Sequence, residues 1–358
     1  MRPHDHRRRL HLTRRDVLAS TAALGGAALT HGLAFAQGGA AGRRIDLHHH
    51  FFPPAFLQAQ RDALTRQNRP PTLGALQEGW SPAKTLEAMD RNNISTAMLM
   101  LSTGGAWFGD VEQSTRLARQ CNEYAAQMIR DHPGRFGLFA CLPMPDPNAS
   151  LREIEYAYDT LKADGIAMMS SYAVGEGVTW PGDAQLAPVF AELNRRKASV
   201  FFHLGRGSFG NVVPGVPDVM AEPPHDMTRA ILSLLFNGTL SRNPDIRFIF
   251  TNAGGTVPAL AGRIAVTSKR LGAEFEKLVP KGAEYELKKL YYEVSNGSST
   301  TSLAALSALV PLSQIVFGTD YPFVPIEATA GGIEDFWTDA SRQAVFRGNA
   351  AKLFPRLG

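Results

Sequence analysis

The chain has 358 residues, 44% of them hydrophobic and 20% charged. That globular composition excludes a disordered tail, a fibrous repeat and a polybasic nucleic-acid binder. The net charge of +4 resides in residues 1–36, which hold six Arg and two Asp and leave the remainder with 31 basic and 31 acidic residues, so no phosphate-tracking face is implied.

Residues 1–36 read as a leader. Thr13-Arg14-Arg15-Asp16-Val17-Leu18 precedes a weakly apolar stretch running to Leu33, and Ala34-Phe35-Ala36 offers small residues for a cut before Gln37. This is the pattern of a secretory signal, and the paired arginines make it resemble the twin-arginine class. A spanning anchor needs ~18–20 strongly apolar residues, and this stretch is rich in Gly, Ala and Thr instead. The expected address is periplasmic or secreted, with the cytoplasm as the alternative and no membrane span in the mature chain.

From residue 43 to 357 the sequence reads as one domain, in which short apolar runs alternate with amphipathic stretches. Strands are expected over 45–48, 95–101, 136–142, 166–171, 200–204, 248–252, 290–295 and 314–319. Helical patterns occupy 112–131, 151–163, 184–197, 227–240 and 257–271. Runs that are apolar on both faces belong to a parallel sheet covered on both sides, and eight of them with intervening helices predict an α/β fold, the (β/α)8 TIM barrel. A doubly wound open sheet is the competitor, but no Gly-x-Gly-x-x-Gly turn follows the first strand. Residues 51–82 read as a long Pro-rich loop and 205–224 as a Gly/Pro-rich one, both on the C-terminal rim. Cys121 and Cys141, the two cysteines, exclude a disulfide scaffold and a Cys-based zinc site and read as buried fillers.

Beyond the leader stand six histidines: His48, His49, His50, His132, His203 and His225. Alternation along a strand aims His48 and His50 one way and His49 the other. His203 ends the fifth strand and Asp320 follows the eighth, so a closed barrel would turn these four side chains onto one space. Three neutral imidazoles and a carboxylate suit one divalent ion, zinc first and manganese as the alternative. His132, after a helix and before a strand, falls on the opposite face.

These residues carry a family resemblance. Ile45-Asp46-Leu47-His48-His49-His50-Phe51-Phe52-Pro53 resembles the opening motif of the amidohydrolase superfamily, in particular the metal-dependent decarboxylase branch that contains aminocarboxymuconate semialdehyde decarboxylase. Phe201-Phe202-His203, Ala253-Gly254-Gly255-Thr256-Val257-Pro258 and Phe317-Gly318-Thr319-Asp320-Tyr321-Pro322-Phe323 agree with it. Trp107-Phe108-Gly109-Asp110 and Pro224-His225-Asp226-Met227-Thr228-Arg229-Ala230 are similar to 6-methylsalicylate decarboxylases. The resemblance implies metal ligands at His48, His50, His203 and Asp320, and it implies a homodimer, for which the apolar pair Phe336 and Trp337 is the candidate face. One position departs from the pattern. The family reads Ser-His-Ala-Gly-Gly where this chain reads Thr251-Asn252-Ala253-Gly254-Gly255, and Asn hydrogen-bonds without titrating.

The expected reaction is metal-dependent, non-oxidative decarboxylation of a small hydroxylated aromatic acid such as a salicylate derivative. Asp320 would protonate the ring carbon, with Asn252 beside it. His225, Arg229, Arg206, Glu293, Trp107, Phe108 and Phe323 are the candidates for holding substrate. Hydrolysis of a lactone or amide is a second reading, weakened by the missing base at position 252. An exported binding paralogue that has lost turnover is a third, and Asn252 is its support.

Overall fold

The computed structural model describes residues 43–205 and 213–358. The segment read as a leader, with its arginine pair, and Arg206 lie outside the described residues. Eight apolar runs form eight strands: β1 (Arg44–His50), β2 (Ile94–Met100), β3 (Phe136–Cys141), β4 (Gly165–Met169), β5 (Ser199–His203), β6 (Arg247–Phe250), β7 (Tyr291–Glu293) and β8 (Ile315–Val316). Neighbours in the sheet follow chain order, and each adjacent pair is parallel. The first and last strands then meet. The Leu47 amide donates to the Phe317 carbonyl (3.0 Å), the Asp320 amide to the His48 carbonyl (2.9 Å) and the His50 amide to the Tyr321 carbonyl (2.9 Å). This seam makes a TIM barrel and excludes the open doubly wound sheet.

Ile45, Leu47, Met98, Met100, Phe139, Ala167, Phe201, Ile249 and Val316 fill the barrel interior as one apolar cluster. A larger cluster lies between the strands and the outer helices and includes Phe136, Phe190, Phe202, Phe250 and Tyr292. Those helices include α1 (Pro54–Arg66), α2 (Pro82–Arg91), α3 (Val111–Asp131), α4 (Pro147–Glu155), α5 (Ala187–Arg195), α6 (Glu222–Phe236), α7 (Val257–Lys269), α8 (Thr300–Leu309) and α9 (Ile326–Phe336). Asp110 caps α3 by accepting from the Gln113 amide at 2.6 Å, the ordinary side-chain solution for an orphan helix N–H. Among the described residues no helix is long and apolar enough to cross a membrane.

Several expectations need correction. The Pro-rich stretch after β1 is not a loop throughout, because it carries α1, with Pro54 at its first turn, where a missing N–H costs nothing. The helix expected over 184–197 is a 3-10 turn at Ala184–Leu186 followed by α5, with Pro188 in the first turn of α5. The eighth strand is two residues long because the chain after it leaves extended geometry and turns at Asp320, whose φ is +58°. Phe336 and Trp337 pack on each other (5.1 Å between centroids) and against the main core, and both are partly buried. Cys121 and Cys141 are buried thiols. Burial pushes Cys121 up to about 12, and both act as packing.

Candidate metal centre

β1 carries one more residue than β2 between Asp46 and His49: Asp46 pairs with Ala97 while His49 pairs with Leu99. Such a bulge re-aims the side chains that follow it. Leu47 still fills the apolar interior, and His48, the next residue, joins His50 at the C-terminal mouth. There the ligand atoms of His48, His50, His203 and Asp320 all lie within 4.8 Å of one another. His48 Nε2 is 3.1 Å from His50 Nε2, and Asp320 Oδ1 is 3.0 Å from His50 Nε2 and 3.4 Å from His48 Nε2. The three imidazole rings stand nearly perpendicular to one another, with centroids 4.7–5.0 Å apart.

The outer nitrogens decide what the inner ones can do. His50 Nδ1 meets the Met100 carbonyl at 3.3 Å and His203 Nδ1 meets the Leu204 carbonyl at 3.2 Å. A carbonyl only accepts, so both rings carry hydrogen on Nδ1 and aim the Nε2 lone pair inward. His48 Nδ1 faces the Glu293 carboxylate at 2.9 Å. Lone pairs that converge with a carboxylate and without protons between them repel unless a cation sits among them. The donor set therefore fits a divalent first-row ion.

Electrostatics separate His48 from the other two imidazoles. Burial pushes the His203 pKa well down and the two neighbouring imidazoles add to the effect; burial also lowers His50. Burial opposes charge on His48 as well, but Asp320 and Glu293 outweigh it and raise that pKa. Burial pushes Asp320 up, yet His48, His50 and His203 more than compensate and hold it well below the usual carboxylate range.

Glu293, a candidate for holding substrate whose inward carboxylate also calls for a partner, is fully buried and contacts His48 Nδ1. One carboxylate oxygen accepts from Thr251 Oγ1 (2.7 Å) and Ser295 Oγ (2.9 Å) beside His48 Nδ1, and the other takes the Ser295 amide. A buried charge needs such saturation. Gly318 leaves room for it, since a Cβ there would collide with Glu293 Oε1 and His48 Cβ.

The other candidates separate. Phe323 is 42% exposed, with its ring 5.5 Å from that of His50, so it borders the mouth. Asn252 follows β6 at φ +55°, and its Oδ1 lies 3.2 Å from Thr251 Oγ1, whose hydrogen goes to Glu293 at 2.7 Å. Trp107 is tied to a rim hairpin, Tyr172–Val174 with Gly177–Thr179, by a 2.6 Å bond from its indole N–H to the Ala173 carbonyl. Phe108 packs toward Phe56 (6.2 Å). His225 is exposed on α6 with Nδ1 on the Ala221 carbonyl, and Arg229, one turn on, pairs with Glu222 at 3.6 Å. Neither makes a described contact with the imidazole cluster.

Sequence reasoning missed Asp46, Thr251, Ser295 and Asn296. Asp46 is fully buried and takes the His48 amide, the Thr319 amide, the Thr319 hydroxyl and His49 Nδ1, tying the first strand to the segment that bears Asp320. Its place two residues before His48 was a usable signal. Asn296 had none: it is a polar residue in a turn, and only the fold brings its amide to Asp320 Oδ2 at 2.8 Å.

The chain is similar to known proteins. A family model described as amidohydrolase matches residues 45–356. Decarboxylase macB of Penicillium terrestre is 33% identical over 332 residues, covering 88% of this chain and 95% of that protein. The 6-methylsalicylic acid decarboxylase of Penicillium expansum is 34% identical over 331 residues, covering 88% and 97%. A dihydroxybenzoic acid decarboxylase from Polaromonas sp., solved with manganese and 2-nitroresorcinol, superposes with a TM-score of 0.73 at 21% identity, over 88% of this chain and 97% of that one.

Proposed function

The chain belongs to the amidohydrolase family, and from that membership we propose that it is a metal-dependent carboxy-lyase that removes CO2 from a small hydroxylated aromatic acid of the salicylate type. The named relatives support this reading, and the observation that carries it is the convergence of three imidazole lone pairs and the Asp320 carboxylate on one point. A divalent cation would be held by these four side chains and would supply Lewis-acid chemistry for the substrate's oxygens. On ligand softness, a set dominated by imidazole favours zinc over manganese.

The chain's own residues supply the rest. Asp320, held as the carboxylate by the imidazoles around it, accepts the hydroxyl proton as the substrate docks. It then returns that proton to the ring carbon bearing the carboxylate. The C–C bond breaks, its electron pair restores the aromatic ring and CO2 leaves; the ring oxygen recovers a proton from water on release. Asn252 and Asn296 offer hydrogen bonds without titrating. Decarboxylation with Asp320 as proton carrier needs no base at position 252, whereas lactone or amide hydrolysis would need one there unless Asp320 took that role too; the named relatives favour the lyase over the hydrolase. Phe323 stands at the mouth as a wall for an aromatic ring. Export through the twin-arginine route completes the proposal, and N-terminal sequencing of secreted protein checks it: a start at Gln37 is expected, and an intact Met1 overturns it.

The enzymatic test pairs metal analysis of the purified protein with a panel of hydroxybenzoates and lactones. One equivalent of a divalent metal and CO2 release from an ortho-hydroxybenzoate are expected. Acid release from a lactone with no CO2 from any hydroxybenzoate overturns the reading.

A further inference from the structure

Three residues at the mouth share an uncommon backbone. Asn252 (φ +55°), Asn296 (φ +54°) and Asp320 (φ +58°) are all left-handed, and such conformations gather where a site over-determines them. They sit on three successive turns, after β6, β7 and β8. The first two turns are pressed together: a Cβ on Gly297 would come within 2.7 Å of Ala253 Cβ and 3.2 Å of the Asn252 carbonyl carbon. The turn after β7 therefore cannot drift, and from it the exposed Asn296 reaches across to the turn after β8. Its Nδ2 donates to Asp320 Oδ2 at 2.8 Å while Asp320 Oδ1 faces His50 and His48. The two carboxylate oxygens are thus distinguished, one turned to the imidazoles and one held by an amide.

We propose that Asn296 is a positioning residue that fixes the rotation of the Asp320 carboxylate, so that Oδ1 alone is presented to the cation and Oδ2 is held toward the substrate side. The inference rests on the metal-centre reading above. A freely rotating carboxylate must be ordered each time it ligates and each time it meets substrate, whereas an anchored one has that ordering built in. The geometry assigns the anchoring to the amide N–H, and the backbone of the turn is a separate matter.

Two variants separate amide from backbone. N296G relieves the left-handed turn, which glycine adopts freely, and deletes the amide. N296D keeps the size and the tolerance of the turn but replaces the donor with an acceptor. Both are measured by chelator competition for Zn2+ and for Mn2+, by thermal melting, and by kcat and KM on whichever hydroxybenzoate the wild type turns over. The expected result is N296G with unchanged or raised thermal stability, metal affinity lower by about 10-fold, at the mild end of the ~10–100-fold seen when a partner of a ligand is removed, and kcat lower by at least a similar factor. N296D is expected to lose kcat as well. Wild-type metal affinity and kcat in N296G would show that the turn alone matters and overturn the proposal. The affinity measurement stands without turnover, so a failure of the decarboxylase reading shows as no CO2 from the wild type and is not confused with a failure here.

Discussion

Replacing the carboxylate of Glu293 by an amide changes little in volume but removes its charge and one of the two accepting oxygens that serve His48 Nδ1, Thr251 and Ser295. Metal affinity of Glu293→Gln is expected to fall by ~10–100-fold, the usual cost of losing a partner behind a ligating imidazole, and chelator competition reads it. Acid should weaken metal uptake for a related reason. The raised pKa of His48 means that this ring keeps a proton to higher pH than an ordinary imidazole. Protons therefore compete with the cation for His48 Nε2, and affinity should fall steadily as pH drops through and below the neutral range; a flat profile from pH 8 to 5 would contradict it. Asn252→His is expected to leave decarboxylation within a few-fold of wild type, because Asp320 already carries the proton, and a gain of ~10²-fold or more, the scale of general acid–base help, would show a degraded site instead. The four clustered residues were legible because strand alternation and chain order dictate where strand ends point. The partner of Glu293 was not legible, because an inward carboxylate on a strand can meet any of several neighbours, and only the fold brings it to His48 Nδ1 in the room left at Gly318.

At the scale of elements, the barrel is weakest in regular hydrogen bonding where β8 meets β1, since β8 has two residues. Side chains compensate there. Thr319 donates its hydroxyl to Asp46 at 2.6 Å and its amide to the same carboxylate at 3.0 Å. Thr319→Val keeps the shape and strips one donor from a buried charge, so it should destabilise the fold by about 1–3 kcal/mol, read as a lower urea midpoint with unchanged slope. Seven of the strands were placed within a few residues from apolar runs alone. The eighth was overextended because Phe317, Gly318 and Thr319 continue the apolar pattern, while the backbone has already begun the turn that delivers Asp320. The stretch after β1 was read as loop because its prolines signal breaks, yet Pro54 opens α1.

For the molecule as a whole, ion and fold should be thermodynamically linked. A ligand that binds the native chain at 100 times its Kd adds about 2.7 kcal/mol, so stripping the metal with a chelator should lower the melting temperature as well as abolish turnover, and restoring Zn2+ or Mn2+ should recover both. An unchanged melting temperature with full activity would remove the ion from the account. The composition already showed a neutral body behind a basic N-terminal segment, and eight apolar runs in order showed a barrel; neither could show which rim turns touch, because those contacts join residues far apart in sequence. The seam has one more consequence. His50 lies in the first strand of the barrel, and Asp320 follows 270 residues later, after the eighth. A ribosome must deliver all eight strands before the fourth member of the cluster can swing into place, so a nascent polypeptide that stops short of Asp320 has only the three imidazoles to offer an ion, and complete loading is a late event in the life of each molecule.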